Sequence, residues 1–170
     1  MRSILIYFLQ ICLLKVGPER VPSNAKVVAS IFGLYFLIAM ASLIFTRPDI
    51  ALAMKALIII IGFALEAGLI YALLLFKSMS HRYLSTIGAL LGTNALLLIS
   101  LMPLELMAYS LEEGLLTDIF ITLENIIFFW WLLIVGFLLH RSAGISIIQG
   151  TIIAFLIELV VVIITNPLIS

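Results

Sequence analysis

The chain has 170 residues, of which 65% are hydrophobic and 11% charged, and nine basic side chains balance nine acidic ones to a formal net charge of zero. A mean hydropathy of +1.35 excludes an ordinary soluble domain, in which about 25% of residues are charged, and the even charge balance offers nothing to nucleic acid. The single cysteine, Cys12, excludes an intrachain disulfide and a cysteine metal cluster.

Crossing a bilayer core of about 30 Å takes about 20 apolar residues in a helix. The first apolar stretch, Ser3 to Leu14, is too short for that. Within it Ser3, Tyr7 and Gln10 recur at helical spacing as a less apolar stripe, which predicts an interfacial helix over 3–14, with a shallow re-entrant dip as the alternative. Arg2 before an apolar run resembles a secretory signal, yet no small-x-small cleavage site precedes Pro18, and bulky Gln10 and Ile11 before Cys12 do not suit a lipoprotein signal. The N-terminus therefore reads as retained.

A polar segment, "KVGPERVPSN" at 15–24, follows. Pro18 and Pro22 each remove an amide donor and disfavour helix before them, so the first helix and the first span cannot fuse into one rod. Gly17, Pro18, Pro22 and Ser23 form a corner, and Ser23 or Asn24 is placed to cap the next helix. Five long apolar stretches then predict spans over about 26–46, 51–76, 83–108, 118–139 and 143–165. Short links with turn chemistry join them; Asp118 is placed to cap the fourth helix, and Asn166-Pro167 to end the fifth. The predicted fold is an all-α integral membrane protein, a single membrane domain over 1–170 with an N-terminal interfacial helix and five transmembrane helices. Five spans do not divide into equal inverted halves, and no internal repeat is visible.

Basic residues in short loops stay on the cytoplasmic side. Arg2, Lys15, Arg20 and Lys26 precede the first span, Lys77 and Arg82 separate the second from the third, and Arg141 separates the fourth from the fifth. The third link carries Glu105, Glu112, Glu113 and Asp118 without a basic residue. This pattern predicts the N-terminus inside and the C-terminus outside.

Ionisable residues within spans are costly and are functional candidates by default. They are Lys55 and Glu66 in the second span, Glu124 in the fourth and Glu158 in the fifth. Lys55 and Glu66 are eleven residues apart, about three turns, and share a face with Gly62. Counting about 1.5 Å per residue puts Lys55, Glu124 and Glu158 roughly 7 to 12 Å below the outer boundary, where Lys55 could pair with either glutamate. Glu66 lies deeper, near the levels of Gln149 and Asn94. The polar residues thus read as two layers that fix helix packing or, alternatively, as a path for a proton, ion or small molecule. Gln149 and Glu158 are about half a turn out of phase and cannot both face one lumen.

Gly88 and Gly92 form a G-x-x-x-G, and Ala29/Gly33, Ala64/Gly68 and Ser146/Gly150 share its spacing, so all four predict close helix packing within or between chains. "FFWW" at 128–131 lies near mid-span and reads as core or as a lipid-facing wall, with ligand stacking as an alternative. His81 and His140 have no partner at metal-ligand spacing and read as helix-end residues. No G-x-S-x-G, H-E-x-x-H or phosphate-cradling glycine loop occurs, so no catalytic residue, metal or cofactor is expected.

"LKVGPERVPSN" at 14–24, "HRYLSTIGALLGTNALLLISLMPLEL" at 81–106 and "WWLLIVGFLLHRSAG" at 130–144 together resemble a group of small proteobacterial inner-membrane proteins. That group reads Gly-Pro-Gln-Asp-Leu-Pro-x-Ser before its first span, Ala-Leu-x-Gly-Thr-x-Ala-Leu in its third, and Trp near Gly-His-x-x-Arg after its fourth. Gly17, Pro18, Pro22 and Ser23 match the first motif, Gly92 and Thr93 the second, and Gly136 the third, where Phe137 replaces the histidine and His140 is displaced. The plan is also similar to the Yip family, whose members interact with Rab GTPases in eukaryotic membrane traffic. The resemblance implies the bacterial inner (cytoplasmic) membrane and carries no established activity.

The leading expectation is a non-enzymatic membrane protein, a scaffold or accessory subunit that binds another membrane protein or a second copy within the lipid bilayer. The basic N-terminal segment would lie near anionic headgroups. The alternative is a small transporter or an ion- or proton-conducting protein that uses the intramembrane carboxylates.

Overall fold

The computed structural model describes residues 2–110 and 114–168, all helices and turns with no strand among them. Glu112 and Glu113, on which the charge pattern of the third link partly rests, lie outside the described residues. Five helices are long and apolar enough to cross a membrane, and the chain is a multi-pass membrane protein. They are α2 (Ala25–Thr46), α3 (Leu52–Phe76), α4 (Tyr83–Ser110), α5 (Leu115–Ala143) and α6 (Ile147–Thr165), preceded by a short α1 (Arg2–Cys12). Their lengths of 19 to 29 residues correspond to about 28 to 44 Å.

The helix ends follow local chemistry. Asn24 caps α2, its side-chain oxygen accepting from the Lys26 amide at 2.9 Å. Ser23 is left free to meet Ser85 of α4, oxygen to oxygen, at 2.6 Å. Asp118 does not cap α5; the N-cap is Gly114, and Asp118 lies in the first turn, where a negative charge suits the helix dipole. The last link is displaced from its predicted position. α5 runs on through Ala143 and ends on Gly144 in the left-handed conformation, φ +66°, which glycine adopts without penalty. Ser146 and Gln149 then form a reciprocal capping box that starts α6.

The spans alternate in direction, so the molecule has a corner end, formed by residues 15–25, 77–83 and 141–147, and a far end. The corner end gathers Lys15, Arg20, Lys26, Lys77, Arg82 and Arg141, while Arg47 at the far end is paired with Asp49 at 3.5 Å. α4 is the most buried span and packs against α1, α2 and α5; α6 packs against α5 and α3. Between α5 and α6 the backbones touch. A Cβ on Gly150 would collide with the Gly136 carbonyl, and one on Gly136 would lie 2.6 Å from the Thr151 amide nitrogen. Of the predicted Ser146/Gly150 stripe, only Gly150 serves helix packing.

The Gly88/Gly92 face receives the N-terminal segment. A side chain on Gly92 would collide with the Phe8 ring, and one on Gly88 would come within 2.8 Å of Val21. Phe8, Ile11 and Cys12 are buried, and the Trp130 indole of α5 donates to the Cys12 carbonyl at 3.1 Å. α1 therefore rests against α4 about 14 Å along from Tyr83, with Ile4, Leu5, Leu9 and Leu13 exposed on its other side. The corner is a 3-10 turn at Pro18–Arg20. Tyr7 donates to the Gly17 carbonyl at 2.7 Å, and Arg141 pairs with Glu19 at 2.7 Å.

Candidate functional site

From mid-bundle to the far end, α2 to α6 surround a cavity of about 510 Å³. Four carboxylates line it: Glu66 of α3, Glu105 of α4, Glu124 of α5 and Glu158 of α6. No lysine, arginine or histidine is among its described lining residues. Tyr35, Ser42 and Thr46 contribute from α2, Asn94 from α4 and Thr165 from α6. Tyr35, Ala39, Ser42 and Thr46 recur at helical spacing, which aims one narrow stripe of α2 into the cavity.

The carboxylates fall into two tiers. Measured from the corner end of their own helices, Glu66, Asn94 and Glu158 lie about 15 to 17 Å along. Glu66 and Glu158 are near enough for their charges to interact, and the Tyr35 hydroxyl is close enough to sense both. Glu105 and Glu124 form the second tier nearer the far end, again within electrostatic reach of each other. Ser42 donates to Glu105 Oε2 at 3.0 Å. Glu66, Glu124 and Glu158 make no hydrogen bond or ion pair among the described residues. All three are partly buried, and an unpaired carboxylate within a bilayer is costly unless a proton or a cation offsets its charge.

Of the residues singled out in the sequence, Glu66, Asn94, Glu124 and Glu158 come together here, while Lys55 and Gln149 do not. Lys55 lies on the same stripe of α3, one turn before Ile59, but outside the cavity lining. It is 4% exposed and, among the described residues, pairs with neither Glu124 nor Glu158. Gln149 stands in the first turn of α6, where its side chain accepts from the Ser146 amide. The two predicted layers are thereby replaced by one cavity with different tiers.

Glu105 fell inside the predicted third span but was counted with the acidic third link for orientation; α4 continues past Pro103 and carries it into the cavity. "FFWW" divides by helical phase. Phe129 is exposed and Trp130 holds α1, whereas Phe128 and Trp131 face the cavity, stacked with centroids 6.0 Å apart and planes 24° apart. The Trp131 indole donates to Asn94 Oδ1 at 2.8 Å, which fixes both side chains.

A second cavity of about 310 Å³ lies at the corner end, between Glu19, Ser23, His81, Arg82, Ser85 and Arg141. Most of its polar groups are already engaged. Arg82 donates to the carbonyls of Arg141 and Ser142 at the end of α5, and Thr86 meets Ser142 at 2.7 Å. His140 Nδ1 donates to the Ile145 carbonyl. No protein-family model, curated protein or solved structure matches this chain.

Proposed function

We propose that this protein is a small, non-enzymatic transporter-type membrane protein that takes a cation into its intramembrane cavity. The observation that carries this reading is the convergence of Glu66, Glu105, Glu124 and Glu158 on one space without a basic residue in its described lining. A negative, low-dielectric cavity concentrates positive charge. The reading is tested with purified protein in mild detergent, by thermal unfolding against protons, alkali cations and organic ammonium ions. A bound cation should raise the melting temperature with the logarithm of its concentration above its Kd, and a Glu66→Gln/Glu158→Gln variant should lose that response. If no class of cation stabilises the wild-type chain more than the variant, the reading fails.

A second reading, a scaffold or accessory subunit that binds another membrane protein, is favoured by a different observation. A Cβ on Gly33 or on Gly68 would meet nothing within 4 Å, and Ala29 and Ala64 are exposed. The Ala29/Gly33 and Ala64/Gly68 stripes are thus unused within the chain and suit close approach by another helix. Mass spectrometry of the detergent-purified protein separates the readings: a stoichiometric partner supports the scaffold, and a homo-oligomer alone supports the transporter.

For location and orientation, we propose the bacterial inner membrane, on the resemblance above, with the basic corner end in the cytoplasm and α1 held at that side. The small proteobacterial proteins and the Yip-like plan remain the family proposal. A reporter active only outside the cytoplasm, fused after Ser170, should be active; an active cytoplasmic reporter at that position reverses the orientation.

A further inference from the structure

We infer that the cavity's ligand is a bulky organic cation, a lipophilic ammonium or phosphonium whose charge is spread over apolar groups. The inference rests on the cation-binding reading and names its ligand class. Three features of the cavity lead to it. The first is size: about 510 Å³ lies within the roughly 300–1,000 Å³ of small-molecule sites and far exceeds the space of one bare ion. The second is the placement of charge. Paired carboxylates at two levels do not converge on a point, and among the described residues no three His, Cys, Asp or Glu side chains are grouped to hold a metal. Glu66 is partly buried, has no hydrogen-bond partner among the described residues, and lines the cavity. A compact ion would need a closed shell of oxygens; a diffuse cation needs only a nearby negative charge.

The third feature is the wall. Tyr35, Phe63, Phe128 and Trp131 line the same space, and aromatic faces attract cations whose hydration is weak. Phe63 is held against Phe32 with centroids 4.6 Å apart, while Trp131 is held by Asn94 and by stacking on Phe128. These rings are positioned before any ligand arrives, which lowers the cost of ordering them on binding. Beside the polar Ser42, Thr46, Asn94 and Thr165, the remaining wall is largely aliphatic, including Leu97, Leu98, Leu101 and Ile127, and suits the apolar substituents of such a cation.

The test uses the full chain in mild detergent and two probes of matched size and opposite charge, tetraphenylphosphonium and tetraphenylborate, measured by equilibrium dialysis. Tetraphenylphosphonium should bind saturably, and tetraphenylborate should not. Glu66→Gln and Glu158→Gln should each weaken phosphonium binding about tenfold or more, and Phe128→Leu by about threefold. Glu19→Gln, at the corner end, should leave it unchanged. Size-exclusion profiles and helix content establish that each variant is folded. Equal binding of the two probes, or phosphonium binding indifferent to Glu66 and Glu158 in folded variants, overturns the inference. If phosphonium does not bind but sodium or potassium changes tryptophan fluorescence in a Glu66-dependent way, the organic ligand is rejected and the cation cavity survives. If neither binds, both are rejected.

Discussion

Around the corner end, Ile11, Leu90, Leu91, Ile134, Leu138 and Leu139 are each at most 1% exposed, whereas toward the far end the same bundle stands open around about 510 Å³ of space. Polar residues occur in both halves, in different forms. In the packed half they are short hydroxyls that satisfy one another across helices, Ser23 with Ser85 and Thr86 with Ser142. The open half has hydroxyls and an amide too, but it adds four carboxylates, three of them unpartnered among the described residues. Glycine divides the same way. Gly136 and Gly150 bring two backbones into contact, while Gly62 beside the cavity would place a Cβ 3.5 Å from Val161, an ordinary contact. One half spends its small residues on close packing, and the other retains room beside its charges.

If that division is physical, one substitution type should have opposite effects in the two halves. Gly136→Ala forces a methyl group onto the Thr151 backbone and should cost about 3 kcal/mol, the upper end for overpacking, measured by unfolding in mixed micelles. A cost below that of an ordinary surface change would show that α5 and α6 separate easily. Next in size, Gly92→Val should displace Phe8 and loosen α1 at a cost of about 1 to 2 kcal/mol. The readout is maleimide labelling of Cys12, the only thiol in the chain. Burial pushes the Cys12 thiol pKa up, so at neutral pH little of it is the reactive thiolate. Exposure returns the pKa toward its ordinary value, so labelling of the variant should be faster and should rise at lower pH than in the wild type. Identical profiles would mean that α1 does not depend on Gly92. The smallest effect is expected at Gly62→Ala, which meets no obstacle and gains helix propensity, for a stabilisation of about 0.5 to 1 kcal/mol. A clear loss there would remove the contrast between the halves.

The five spans were legible because crossing a membrane depends on the length and apolarity of a local segment. The cavity was only partly legible, because helical phase identifies a face but not the neighbour it meets. Glu66, Glu124 and Glu158 were marked by their cost in lipid, yet their pairings require the order of helices around the bundle. Gln149 was misjudged for a local reason: Ser146 and Gln149 carry the S-x-x-Q spacing of a capping box, which explains the glutamine without a pathway. Glu105 fell inside the predicted 83–108 span but was counted with the acidic third link for orientation, and so was not weighed as an intramembrane carboxylate. The stripe of Tyr35, Ser42 and Thr46 had readable spacing but no charge to single it out.

The hydrogen bond from Trp130 to the Cys12 carbonyl joins residues 118 positions apart and bears on the order of biogenesis. At about 5 to 20 residues per second, the ribosome reaches Trp130 roughly 6 to 24 s after it has made Cys12. Throughout that interval the first helix exists without the surface on which it finally rests. Its apolar residues must be sheltered by the lipid headgroup region or by the insertion machinery until α4 and α5 arrive. A segment made long before its partner is thus among the last to take its place, and a nascent chain arrested before Trp130 would present α1 to whatever first meets it.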